Sequence, residues 1–419
     1  MKLAVTVMIC FFSLSTMSFA QNWDNWRGPA GSGVAPAGDY PVKFSDTENV
    51  HWKIPLPGRG SSTPIIWGDR IFLTCGIGKG PEGQDGVMAF DWKGKELWRK
   101  SLGNQRPGKH KNGSGSNPSI VTDGQRLFAY FKSGTLAALD LNGKILWKTN
   151  LQKSFGEDSL WWDLGTSPVL AGPNVVVAVM HEANSYLVAY NQESGKQVWK
   201  VSRDYPVKEE TGQSYTTPIV MEQGGTLALI VWGADRLTAH DAKDGSVIWT
   251  CAGFNPEDKK YWRVIGSPAV SDDVAVVPYG RGDFIAGVKL GGKGDVTKTH
   301  RLWEKTGIGA DCPTPIAHNG KAYNLSDKGT LTALDIKTGA EAWSENLPKA
   351  RGKFYSSPTL AGDKIYAARE EGDVYVVQVR PNFKVLASNR INDRIAAAPV
   401  LINDKVLLRT AGHLYCFGK

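Results

Sequence analysis

The sequence predicts an all-β protein, an eight-bladed β-propeller of four-stranded antiparallel blades with the last blade closed by the N-terminal strand. Three observations predict it. A small residue and a proline open an apolar run eight times along the chain. Turn residues of the Gly, Asn and Asp type follow each run. A tryptophan closes most repeats, in a chain of 419 residues with 15 tryptophans. Internal repetition at this period is the signature of a radial repeat fold.

The openings read STPII, SNPSI, TSPVL, TTPIV, GSPAV, PTPIA, SSPTL and AAPVL, with prolines at Pro64, Pro118, Pro168, Pro218, Pro268, Pro315, Pro358 and Pro399. Their spacing falls from 54 residues to 41, which suits one four-stranded blade per repeat. Each opening strand ends at a turn pair such as Gly68-Asp69, Asn319-Gly320 or Gly362-Asp363. These residue types tolerate the positive φ of tight hairpins. No long segment has helical periodicity.

The repeats end in MAFDWKGKELW, LAALDLNGKILW, LVAYNQESGKQVW, LTAHDAKDGSVIW and LTALDIKTGAEAW. The Asp or Asn and the following Gly make the hairpin between third and fourth strands. Trp98, Trp147, Trp199, Trp249 and Trp343 then lie on the outer strand, where each can wedge against the next blade. Burying an indole is worth a few kcal/mol, at about 25 cal/mol per Å² over about 200 Å². The fifth repeat departs with a longer hairpin before Trp303, and the seventh, NFKVLAS, has no Trp. The eighth stops at HLYCFGK without a fourth strand, and VHWKIPL near the start, carrying Trp52, matches the missing piece. Closure through that strand removes the open edge of the ring.

The A-x-D-x-x-x-G-x-x-x-W ending, complete at Ala239-Asp241-Gly245-Trp249 and Ala333-Asp335-Gly339-Trp343, resembles the tryptophan-docking motif of pyrroloquinoline-quinone-like propeller repeat proteins. The resemblance covers about Asn49 to Lys419, and the start NWDNWRGPAGSGVAP is similar to that of secreted members. This family includes the outer-membrane assembly lipoprotein and the quinoprotein dehydrogenases. Likeness to the dehydrogenases implies a quinone and Ca²⁺ in the central funnel, a vicinal disulfide and often a CxxCH haem domain. This sequence has no adjacent cysteines and no CxxCH, so neither cofactor nor metal is expected. It also lacks the lipidation cysteine of the assembly lipoprotein. The motif specifies architecture, and fold alone does not fix activity.

Residues 1–20 read as a signal peptide, with Lys2, an apolar stretch and Ser18-Phe19-Ala20 before the cleavage point. The expected organisation is leader 1–20, N-terminal extension 21–49 and propeller 50–419, with export to the periplasm or beyond. No later segment is apolar enough to span a membrane, and a monomer is expected. Cys75, Cys251, Cys312 and Cys416 lie far apart and read as buried or free thiols. The net charge of +8 would suit nucleic acid in a cytosolic protein. Export removes that reading and leaves an anionic small molecule, polysaccharide or lipid surface.

Chemistry on a propeller sits at its central funnel. The residue five before each proline should stand at the mouth: Arg59, Gly113, Asp163, Gln213, Arg263, Ala310, Lys353 and Arg394. Lys353, Arg394 and Arg59 fall in consecutive blades seven, eight and one, an arc of cations suited to an anion. Tyr215 and Tyr355 are candidate stacking walls. The loops between second and third strands add His181, Glu182, Arg281 and Asp283 on the same face. His110, Asn112 and the Trp161-Trp162-Asp163 run either form an aromatic platform for sugars or plug the channel. No HExxH, Walker or G-x-S-x-G motif is present. The sequence therefore points to a non-catalytic binding or scaffold module for a protein partner or an anionic or carbohydrate ligand. The runner-up is a funnel enzyme, either a quinone oxidoreductase or a sugar-acid lyase or hydrolase.

Overall fold

The eight opening strands line a central channel in the computed structural model, which describes residues 21–78 and 82–419. The leader 1–20 lies outside the described residues. Strands pair antiparallel from the axis outward, as in blade two: Val121–Thr122, Arg126–Tyr130, Thr135–Asp140 and Ile145–Asn150. Seven sheets have four strands and one has five. Val50–Pro55 is the outer strand of blade eight, pairing Trp52 with Cys416 and Ile54 with Leu414. The ring is thus closed as the repeat pattern predicts.

The tryptophans lock blade to blade. Trp52, Trp98, Trp147, Trp199 and Trp303 each donate Nε1–H to a carbonyl in the next blade, at Trp92, Leu141, Gln192, Ala242 and Ile336, over 2.8–3.2 Å. The Trp147 indole lies over Gly195, which has φ +65°, and a Cβ there would come within 2.6 Å of the ring. The hairpin glycine is therefore required twice, for its turn and for the ring above it.

The irregular blades are resolved by other means. The long fifth hairpin lays Gly294–Asp295 parallel onto the outer strand of blade four, and Trp249 is fully buried with Nε1–H on Gln223 Oε1. Blade seven lacks a docking Trp, and the N-terminal extension supplies the wedge. Phe44 is buried against Phe417, with ring centroids 4.6 Å apart, while Asn389 of blade seven holds the Phe44 N–H and the Val42 carbonyl. Earlier in the extension, Trp23 bridges Ile66 of blade one and Val34 bridges Leu360 of blade seven. Between them Arg27, 2% exposed, donates to the carbonyls of Pro358 and Pro315. The extension therefore crosses the channel.

A chain of hydroxyls encircles the axis. The backbone N–H groups of Thr63, Ser119, Ser167, Thr217, Ser267 and Thr314 each donate to the Ser or Thr hydroxyl of the following blade, ending at Ser357, over 2.9–3.0 Å. In blade two the chain uses Ser119, because Ile65 pairs with Phe72 as Val121 pairs with Phe128. Pro118 thus sits two residues earlier than the other prolines, yet Gly113, five residues before it, still lines the channel mouth. In blade eight Ala398 carries no hydroxyl, and the buried Arg409 guanidinium ties that blade to Ser62 of blade one.

Asp85, on the third strand of blade one, is fully buried. It accepts the Ser133 hydroxyl, and among the described residues no cation pairs with it. Burial pushes its pKa up to about 7. The folded pKa exceeds the unfolded value, so the folded state holds the proton more tightly. The contribution of this group to stability is greatest below about pH 4 and is lost as pH rises through 7, by at most about 4 kcal/mol. Asp85→Asn is expected to flatten that slope in urea titrations between pH 4 and 8, and an unchanged slope would assign it elsewhere.

Candidate functional site

The channel opens on one face into a funnel of about 440 Å³. Its walls come from the segments before the opening strands and from turns between second and third strands. Of the residues expected on this face, Gly113, Asp163, Tyr215, Arg263, Lys353 and Tyr355 line it, as do His110, Trp162 and Arg281. Asp311 and Asp327 complete the wall, and Trp26 of the N-terminal extension reaches the same space. Trp26 thus shares the channel with Trp162 of the His110, Asn112 and Trp161-Trp162-Asp163 cluster, for which the sequence left a sugar platform and a channel plug equally open.

The cation arc divides. Lys353 faces the funnel, whereas Arg59 and Arg394 line a recess beside it. There they hold the chain's own loop between blades one and two. Arg59 donates to the Lys111 carbonyl, and Arg394 donates to Asn112 Oδ1 at 3.1 Å and pairs with Glu371 at 3.4 Å. Glu370 accepts from Asn112 Nδ2 (2.8 Å), the Lys111 ammonium (3.0 Å) and the Lys353 N–H (2.9 Å). Two carboxylates and a strap of backbone therefore offset the repulsion between these cations.

The opposite wall is also internally paired. Asp163 takes the buried Lys132 ammonium and the N–H groups of Lys109 and His110. Arg263 bridges Glu210 (3.4 Å) and Asp311 (2.8 Å), and Arg281 also reaches Glu210. Asp327 accepts the N–H groups of Asp311 and Cys312. Burial raises the pKa values of Asp311 and Asp327, opposed chiefly by Arg263 at Asp311 and by the Asp311 and Cys312 N–H groups at Asp327.

Two expected residues stand differently. Tyr215 reaches the wall but is only 5% exposed, with its hydroxyl given to Gln213 Oε1, so it packs in the core instead of offering a stacking face. His181 lies in a separate recess of about 220 Å³ with Glu182, Asp204 and Tyr205. Ser159 occupies its Nδ1, and burial lowers its pKa. Tyr355 does form a wall, 5.8 Å from His110, whose ring lies 5.8 Å from Trp162.

The sequence reading passed over Lys132, Glu210, Asp311, Asp327, Glu370 and Glu371. Most of them sit on turns between second and third strands. Reading those turns against the mouth position of the following blade would have given Lys132–Asp163 and Glu371–Arg394.

The funnel does not fit the quinone and Ca²⁺ of the dehydrogenases. Ca²⁺ takes six to eight oxygen ligands. Among the described residues the one cluster of possible ligands is Asp311, Cys312 and Asp327. One of its carboxylates is committed to Arg263, and burial holds the Cys312 thiol protonated. All four described cysteines are free.

Fold and site together define a pyrroloquinoline-quinone-like propeller with a self-paired funnel. The family model described as outer membrane protein assembly factor BamB matches residues 37–200, 162–299 and 294–418, and the chain belongs to that family. It is similar to BamB of Burkholderia pseudomallei, 24% identical over 86% of this chain and 84% of the relative. BamB of Vibrio cholerae is 25% identical over 78% and 79%. Among solved structures, BamB of Moraxella catarrhalis superposes with a TM-score of 0.62 at 16% identity, covering 88% of this chain and 98% of that one. The quinohemoprotein alcohol dehydrogenase of Comamonas testosteroni gives 0.68 at 13% identity, covering 95% and 81%. Both structural likenesses establish the fold alone.

Proposed function

We propose that the chain is an exported, non-catalytic scaffold propeller that docks a protein partner on its loop face, with the funnel free to take an anionic or carbohydrate group. One observation carries the reading. Trp161, Trp162 and Tyr261 stand 45%, 39% and 44% exposed at the mouth of a rim fixed by ion pairs between blades. Lys260 and Arg281 flank the Tyr261 ring. Exposed Trp, Tyr and Arg on a rigid surface are the chemistry of binding hot spots. The curated relatives carry the name of an assembly factor, and among the described residues no helix is long and apolar enough to cross a membrane.

The test is photo-crosslinking in the native host from Glu209, exposed beside the patch and paired with Lys260, comparing the unaltered mouth with Trp161→Ala plus Tyr261→Ala. A discrete protein adduct that the double variant loses by about tenfold or more is expected, as for hot-spot truncation. An identical adduct pattern in both would reject the loop face as the docking surface.

A further inference from the structure

The hydroxyl chain has an unspent half. The Ser119, Ser167, Thr217, Ser267, Thr314 and Ser357 oxygens each accept a backbone N–H. Among the described residues, none of these six hydroxyls donates to a protein acceptor. All six line the funnel. A hydroxyl carries one proton and two lone pairs, so six donors face the funnel from its throat. Such a ring calls for a ligand dense in oxygen acceptors.

The charges above it narrow the class. Asp163, Arg263 and Arg281 are consumed by protein partners. Lys353 is exposed, lines the funnel and makes no ion pair among the described residues; it acts on Asp311 and Asp327 only through space. One free ammonium above a throat of donors favours a carboxylate on the ligand. Trp162, 39% exposed, and Tyr355 provide ring surface beside it, and such surface packs against the C–H face of a sugar ring. The volume of about 440 Å³ lies within the range of small-molecule sites.

We propose that the funnel binds a carboxylate-bearing saccharide of one or two rings, with Lys353 on the carboxylate, Trp162 against the ring and the throat hydroxyls on its oxygens. This rests on the reading of the chain as a binding module and names the ligand class of its funnel. The loop carrying His110, latched through Asn112 to Glu370 and Arg394, bounds the same space. The ligand therefore lies under that strap.

Purified protein is titrated with galacturonic acid and digalacturonic acid, with galactose and sodium sulfate as controls, by calorimetry and tryptophan fluorescence. Saturable uronate binding is expected, with galactose weaker by about tenfold and sulfate unable to compete, since one charge-assisted hydrogen bond is worth about that factor. Lys353→Met should erase the preference for acid over neutral sugar. Trp162→Ala should weaken both, while Trp162→Phe, which keeps a ring, should retain most binding. Absence of saturable binding to the folded wild-type protein at millimolar sugar overturns the proposal. So does competition by sulfate, or binding that Lys353→Met and Trp162→Ala leave unchanged. If no sugar binds while cross-linking still depends on Trp161 and Tyr261, only this inference falls. Turnover of a bound sugar would instead overturn the non-catalytic reading.

Discussion

Removal of residues 21–52 is expected to unfold the propeller, not to trim a tail. The segment supplies the first half of the outer strand of blade eight and the Trp52 lock onto blade one. It also buries Trp23, Tyr40 and Phe44, at 1%, 5% and 1% exposure. Each such side chain contributes about 2–3 kcal/mol, and the lost strand exposes the edge of Phe417 and its neighbours. Their sum approaches the whole stability of an ordinary domain, about 5–15 kcal/mol. The blade-seven and blade-eight faces once filled by Phe44 would open at the same time. Thermal denaturation and gel filtration of the truncated chain should show no cooperative native state. Melting within about a degree of the full-length chain would show that the ring closes without this segment.

Trp249→Ala should be the most damaging of the docking substitutions. Trp249 is fully buried, capped by Gly294–Asp295 and hydrogen-bonded to Gln223. Truncation leaves a cavity under a strand that cannot collapse into it and an unpaired Gln223 acceptor, for a cost of about 5 kcal/mol. Trp147 is only half-buried, and Trp147→Ala should cost about 3 kcal/mol. Urea denaturation of both variants gives the order. Equal losses would mean that the long fifth hairpin adds nothing to the lock, and a loss below about 1 kcal/mol for Trp147 would mean that its ring does not dock.

The ring was legible because a blade must repeat its own physics. Each needs a proline-opened inner strand, a hairpin glycine and an indole to bury against the next blade, so the same residues recur at one period. Closure was legible for the same reason, since VHWKIPL carries the outer-strand pattern the eighth repeat lacks. The N-terminal extension obeys no period, and nothing in NWDNWRGPAGSGVAP announces that Arg27 will sit on the axis or that Phe44 will replace a missing Trp. The same limit governed the site. The mouth positions divide: Gly113, Asp163, Arg263 and Lys353 line the funnel, Arg59 and Arg394 line the recess beside it, and Gln213 and Ala310 are buried. Their partners were not visible, because Lys132 and Glu371, which hold Asp163 and Arg394, come from turns of the preceding blade. Positive charge read along one slot therefore suggested an open anion site, whereas Arg59 and Arg394 hold the protein's own strap.

The role proposed for the funnel is binding without catalysis. Its most direct test is titration of the purified protein with pyrroloquinoline quinone and Ca²⁺, followed by reduction of an artificial dye with alcohols and sugars as donors. The committed Arg263–Asp311 pair and the protonated Cys312 thiol predict neither a tight complex nor dye reduction above the protein-free rate. Robust, quinone-dependent dye reduction would contradict the account and make the chain a dehydrogenase.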